Sequence, residues 1–265
     1  SLLSMYSFYL KPNIFEITLI LSLLLLFAFL LNFITLDGFF GSIIMSNFII
    51  AYGGINYLTP LVVFFILSSI ISKIKPKNNY SSKESSKRNI IQVFANGGIA
   101  LSLCVCGGFL DDYQFIYYLF LSSVAAAASD TWGTEFGKFS KYRPISILSL
   151  KEMNHGESGG ISILGTLGSF MGSCMIGLIG FYFTLEKDLI LIVILSGFLS
   201  SLLDSIIGAS LQGKYLDSNG IIVEDSSSNN NLINGYSWMS NDAVNLINTT
   251  FAPIFTLVIF QIKFI

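Results

Sequence analysis

The sequence predicts an all-α polytopic membrane bundle: a single integral membrane domain over residues 1–265 with about seven to eight transmembrane helices. Two observations predict it. Of 265 residues, 53% are hydrophobic and only 11% charged, whereas a soluble domain carries about 25% charged residues. Apolar runs near 14–36, 39–57, 60–74, 90–110, 114–137, 161–184, 188–212 and 240–263 approach the roughly 20 residues that cross a hydrocarbon core. With 14 basic against 16 acidic side chains, no net field draws nucleic acid, which excludes that partner class. Cys104, Cys106 and Cys174 lie in apolar runs. Their odd count and unpaired spacing give neither a disulfide framework nor a zinc site, and Cys104 and Cys106 read as small packing residues.

The first run is too long for a signal-peptide core and reads as a retained helix. The second and third are short and broken by Gly53, Gly54 and Pro60, so they read as full spans, as one helical hairpin or as a pair of half-crossing segments. Residues 1–74 are expected to make the N-terminal helices of the single domain and 88–265 its candidate catalytic helices. The 75–89 stretch and the 217–239 stretch, with its Ser226–Asn231 run, have linker composition. Basic residues set the orientation. Lys73, Lys75, Lys77, Lys83, Lys87 and Arg88, then Lys138, Lys141, Arg143 and Lys151, then Lys214 fall in three longer loops, while Asp111-Asp112 and Glu186-Lys187-Asp188 occupy the short opposite turns. The long loops are expected to face the cytoplasm.

Ionisable residues inside apolar spans are costly, about 2.5–3.5 kcal/mol for Asp at a helix centre, and here they form stripes. Asp130, Thr134 and Lys138 are spaced by four, with Thr131 and Glu135 beside them. Asp204, Gly208 and Gln212 repeat that spacing two spans later, after which Lys214 follows, and the two segments read as a weak internal repeat. Arg88, Gln92 and Asn96 open the fourth span, and Asn241, Asp242 and Asn245 open the last. All four stripes fall in the same half of the membrane, which predicts one shared polar cavity. The loop Met153–Ser162, with Gly156, Gly159 and Gly160, precedes a helix whose free amides suit an anion. It is not a Walker A sequence. Gly172 and Gly177 read instead as helix packing, Trp132 and Trp238 as interfacial belt residues, and His155, the single histidine, as a surface residue. Carboxylates of Asp130, Glu135, Asp204 and Asp242 suit a hard cation, since Mg²⁺ is commonly held by one or two carboxylates plus substrate phosphates. Arg88, Lys138 and Arg143 suit phosphate.

Six blocks in order carry a resemblance: Phe64–Ser69; Gln92-Val93 with Ala95–Gly98; Ser129–Glu135; Gly156–Ser162 with Gly165-Thr166; Asp204-Ser205 with Gly208 and Gln212; and Asn241-Asp242 with Val244-Asn245. Over residues from about 36 to the C-terminus the chain resembles the transmembrane protein nineteen family, which includes the plant phytyl-phosphate kinase. It is more distantly similar to CTP-dependent dolichol and diacylglycerol kinases. The resemblance implies phosphoryl transfer from a nucleotide, CTP by preference, to an isoprenyl monophosphate such as phytyl, geranylgeranyl or polyprenyl phosphate, on membrane lipid, with Mg²⁺. It implies that Asp130 and Asp204 hold the metal, with Glu135 and Asp242 as further catalytic carboxylates. Arg88 and Lys138 would contact phosphates, and Gln92, Asn96 and Asn245 would orient them. Gly159, Gly160 and Ser162 would cradle a phosphate group, and Thr131, Thr134, Ser205, Gln212 and Asn241 would complete the substrate contacts. The chain departs from the family pattern at Glu157, where a hydroxyl residue is expected.

Repeated half-polar helices also describe a transporter or scramblase of a lipid or small anion. The almost wholly apolar stretches Ile190–Leu195 and Phe251–Phe260 favour a one-sided site over a through-path. Other enzymes of isoprenoid lipid phosphate metabolism, prenyltransferases and CDP-alcohol phosphotransferases, rely on richer Asp motifs than this chain carries.

Overall fold

The structure, a computed structural model, describes residues 14–74, 87–110, 113–216, 222–224 and 230–264. Lys75, Lys77, Lys83, Asp111, Asp112 and Ser226–Asn229 lie outside the described residues. Among the described residues eight helices follow the predicted runs: α1 (Ile14–Leu30), α2 (Leu36–Tyr52), α3 (Ile55–Lys73), α4 (Ile90–Gly107), α5 (Tyr113–Gly137), α6 (Ile163–Thr184), α7 (Lys187–Ser210) and α8 (Asn241–Phe264). Helices α3, α4, α6, α7 and α8 are each long and apolar enough to cross a membrane, and α1 and α2 are shorter apolar helices.

The third run becomes a helix of 19 residues that starts five positions before Pro60. Proline removes the N–H that would reach the carbonyl four residues back. That carbonyl, Asn56 O, accepts instead from Tyr117 Oη of α5 at 3.1 Å. A tertiary bond thus supplies what the local sequence withholds. Gly53 and Gly54, the latter at φ 76°, make the tight turn from α2 to α3.

Helix α5 is the hub. Residues 116–129 are buried without a break, and α3, α4, α6, α7 and α8 pack around it. Such close approach needs small side chains at each crossing. Ala125–Ala128 provide them on α5, while Gly172 of α6 and Gly197 of α7 lie where an added Cβ would stand 2.5 Å from Ala128 O and 2.6 Å from Ala125 Cβ. Gly177 meets Ile194 in the same way, so both glycines read as packing residues pack. Polar groups on the enclosed faces are bonded between helices: Ser129 Oγ to Ser169 O (2.8 Å) and Ser201 Oγ (2.9 Å), Ser200 Oγ to Asn248 O (2.6 Å), and Thr249 Oγ1 to Ala95 O (3.0 Å).

The chain reverses at each helix end, so the described residues of the connections 31–35, 74–89, 138–162 and 211–240 share one end of the bundle. Two small antiparallel sheets form there. Strands β1 (Ile145–Ser146) and β2 (Gly160–Ile161) pair, and β3 (Lys214–Leu216) lies between β4 (Ile222–Val223) and β5 (Asn231–Asn234). The 217–239 stretch is therefore more than a linker: Ile222-Val223 and Leu232-Ile233 give short pairing segments within its polar composition. Trp132 is no belt residue. It is buried and its Nε1 donates to Ser68 Oγ at 3.1 Å, whereas Trp238 is exposed. Cys104 is a buried packing residue and Cys106 is exposed.

Gly172→Val forces a Cβ against the α5 backbone, which has no flexible end to move. Overpacking of this kind costs about 1–3 kcal/mol. A clear fall in the thermal midpoint of the detergent-solubilised protein is expected. Gly98→Ala, whose Cβ meets Phe94 only at 3.7 Å, is expected to leave the midpoint unchanged or raise it.

Candidate functional site

Asp130 lies near the C-terminal end of α5 and Asp204 near that of α7. The two helices run parallel and pack against each other, so the carboxyls arrive at one depth and meet within hydrogen-bonding reach. Asp204 Oδ1 is buried and without a hydrogen-bond partner among the described residues. Two carboxylates in such contact repel in a medium of low polarity unless a proton or a cation stands between them.

Above this pair, towards the loop end, the Gly-rich segment 153–160 packs on α7. Gly159 adopts φ 87°, and a Cβ there would fall 2.3 Å from Ala209 Cβ. A Cβ on Gly208 would meet Ser158 Cβ at 3.3 Å. The segment is strapped down by Glu224, which sequence reasoning passed over, and by Lys214, which it read only as a loop cation at the end of the repeat. Glu224 Oε1 accepts from both the backbone N (2.9 Å) and the hydroxyl of Ser158, and Lys214 Nζ donates to Ser158 O at 3.0 Å. The charge of Glu224 reaches Asp204 as well. No local spacing pointed to Glu224, since the strand pairing of β3 with β4 is what carries it back over the loop.

Several expected arrangements change. Helix α6 begins at Ile163, and Ser162 Oγ caps it by accepting from Gly165 N at 3.1 Å. Gly159 and Gly160 therefore precede the helix and do not present its free amides; their close approach serves the turn and the α7 contact. Glu157 is tied to Asn154 Nδ2 within its own loop. The stripe Asp130, Thr134, Lys138 does not act as one face: α5 ends at Gly137, Thr134 is exposed, and Lys138 Nζ turns to both oxygens of Glu135 at 2.8 Å. Glu135 is thereby committed to an ion pair. Asn241 and Arg143 are exposed, Asp242 is half-buried and Asn245 buried. Ser205 Oγ donates back to Ser201 O at 3.3 Å. Gln212 is buried, with Nε2 unpaired among the described residues.

A second polar group gathers at the start of α4. Asn89 and Gln92 form a capping box in which each side chain accepts from the other's backbone N, at 2.9 and 3.2 Å. Only Gln92 Oε1 is used there. Asn96 Nδ2 donates to Gln92 O at 2.9 Å. Arg88 donates from Nη1 to Ser69 Oγ (2.7 Å) and lies 5.3 Å from the Phe65 ring centre. Burial pulls its guanidinium down to about 10, opposed by the nearby negative charge of Glu135, so it remains charged at neutral pH. Arg88, Gln92, Asn96 and Thr131 line one cavity, and Thr131 adjoins Asp130. The two polar groups are thus neighbours through α5.

The sequence profile of the integral membrane protein family DUF92 matches residues 19–253, most of the chain. The chain belongs to that family. Its relatives include an uncharacterised membrane protein of Methanocaldococcus jannaschii, 32% identical over 184 residues, which are 69% of this chain and 76% of that one. Protein PGR of Arabidopsis thaliana is 30% identical over 66% of this chain and 70% of its own. Protein VTE6, chloroplastic, of the same plant is 26% identical over 80% of this chain and 60% of its own. No solved structure matches the chain. Family membership bears out the resemblance read from the six sequence blocks.

Glu224→Ala removes the acceptor of the Ser158 amide. A hydrogen bond to a charged group is worth about 1.5–3 kcal/mol, so hydrogen exchange at Ser158 is expected to quicken by roughly tenfold or more while exchange along α5 stays slow. Peptide-resolved mass spectrometry reads this directly.

Proposed function

We propose that this protein is a lipid-phosphate kinase of the membrane, transferring the terminal phosphoryl group of a nucleoside triphosphate, CTP by family resemblance, to an isoprenyl monophosphate. The observation that carries the reading is the Asp130–Asp204 pair: two carboxyls brought together inside a membrane bundle, with one oxygen left unpaired. Pairing acids at this depth has a cost that structure alone does not reward. The donor set fits Mg²⁺, which takes one or two carboxylates and completes its shell with phosphate oxygens and water. Among the described residues no third His, Cys, Asp or Glu joins the pair, consistent with ligands supplied by the substrates. A bound cation here would supply charge neutralisation at the transferred phosphoryl group.

In the transfer, an oxygen of the lipid monophosphate forms a new bond to the terminal phosphorus of the nucleotide. The bond from that phosphorus to the bridging oxygen breaks, and the nucleoside diphosphate leaves. The attacking phosphate oxygen is already ionised, so positioning and charge matter more than a general base. Asp130 and Asp204 would hold the metal ion, Arg88 neutralises lipid phosphate charge, and Gln92, Asn96 and Thr131 orient the phosphate. The Gly-rich segment strapped by Glu224 and Lys214 borders the nucleotide side, with Gln212 and Asn245 nearby. The basic loops at this end of the bundle support a cytoplasm-facing site under the positive-inside rule.

Purified protein in detergent, given Mg²⁺, γ-labelled CTP or ATP and phytyl, geranylgeranyl or farnesyl monophosphate, is expected to move label into a lipid diphosphate. Asp130→Asn and Asp204→Asn are each expected to lower the rate by about 10²-fold or more, as for loss of a group that stabilises transition-state charge. Absence of transfer from folded protein with every donor and lipid would sink the reading. Independently, Mg²⁺ at about 100 times its dissociation constant should stabilise wild type by about 2.7 kcal/mol, seen as a raised thermal midpoint, and Asp204→Asn should lose that response.

A further inference from the structure

Helices α1 to α4 enclose a cavity of about 110 Å³ that opens on α5 at Thr131. Its walls are mostly apolar, formed by Leu21, Met45, Ile49, Leu58, Val62 and Phe64 with Ser42 and Ser46 on α2, and its larger polar side chains, Arg88, Gln92 and Asn96, come from the start of α4 at the loop end. From Ser42 to Ile49 the α2 wall runs seven residues, about 10 Å at 1.5 Å per residue. A cavity of this shape has one charged mouth and a greasy throat. Arg88 has no ion pair among the described residues, because the nearby Glu135 is taken up by Lys138. A half-buried cation of this kind, without an acidic partner, suits an anion.

We infer that this cleft receives the single hydrocarbon tail of a lipid monophosphate, with its phosphate against Arg88, Gln92 and Asn96. The inference rests on the kinase reading for the identity of the lipid and deepens it by placement. It assigns the lipid tail to the N-terminal helices, which leaves the α6–α8 side for the nucleotide, and it gives a steric reason why the acceptor has one tail. The size argues for one tail: an apolar cavity of about 150 Å³ holds benzene, so the space takes the first stretch of one chain and no second chain beside it. The remainder passes α1, whose main packing partner is α2 and whose Leu19, Ile20, Leu23 and Phe27 are exposed as lipid-facing residues are. Phosphate reaching Arg88 also stands beside Thr131, next to Asp130, as transfer between the two compartments requires.

The test uses the full chain in lipid nanodiscs without nucleotide, a farnesyl monophosphate carrying a diazirine in its first isoprene unit, irradiation, and peptide mapping by mass spectrometry. Adducts are expected on the α2, α3 and α4 residues lining the cleft. Dodecyl phosphate should compete, and a two-tailed phosphatidic acid should not. Ser46→Trp and, as a second variant, Leu61→Trp fill the cleft and should lower labelling about tenfold, equivalent to about 1.4 kcal/mol. Arg88→Gln should abolish the preference for the phosphate over farnesol while tail adducts persist. Adducts confined to α6–α8, or equal competition by the two-tailed lipid, would overturn the inference. These arms need no variant, so a misfolded tryptophan substitution leaves the test intact. Correctly placed adducts with no transfer in the kinase assay would instead remove the kinase reading and keep the lipid site.

Discussion

Enclosing α5 by five other helices imposes a steric condition where α6 and α7 cross it: there both backbones must carry little or no side chain. Ala125–Ala128, Gly172 and Gly197 meet that condition. In hydrocarbon there is no hydrophobic drive between helices, and close van der Waals packing with interhelical hydrogen bonds holds them together. The serines of α5 and α7 and the Asn248 and Thr249 groups of α8 serve that second need. The lipid-facing helices are apolar, whereas α5 can be rich in Ala and Ser because its neighbours shield it.

The same condition produces the site. With small residues at their crossing, α5 and α7 lie close enough, and parallel, for Asp130 and Asp204 to meet. Glycine at 208 then lets the segment around Ser158 settle on α7, and the β3–β4 turn brings Glu224 and Lys214 back to fasten it. Small side chains thus set the distances and polar ones use them. Arg88 is positioned from the other direction, by the Ile34–Arg88 bridge, where its backbone N donates to Phe33 O at 3.0 Å and its carbonyl accepts from Thr35 N at 3.1 Å. Its guanidinium is held against Phe65 and Ser69 of α3.

Two polar groups flank α5 as a result. One is the Asp130–Asp204 pair, on the side of α7 and the strapped loop; the other is the Arg88 mouth of a mostly apolar cavity on the side of α1 to α4. Asp130 and Thr131, consecutive on α5, join the two groups. The kinase proposed above would use that division, with a water-soluble donor on one side of α5 and a lipid acceptor on the other.

The sequence by itself determined the helices, their order and the end at which the polar residues gather, because hydrophobic run length and charge placement act locally and repeat along the chain. It also marked Asp130 and Asp204, since an acid in an apolar run is conspicuous whatever surrounds it. Tertiary structure alone decided the partners. Glu135 and Lys138 share a turn and pair, which removes both from the stripe that spacing suggested. Gly159 spends its freedom on a turn against Ala209, and Ser162 caps its helix. Glu224 enters through a strand pairing that no local signal announces. Pro60 reads as a break until Tyr117, 57 residues away, accepts the task of its missing hydrogen bond. Spacing along one helix shows which side chains share a face; only packing between helices shows which of them that face is turned toward.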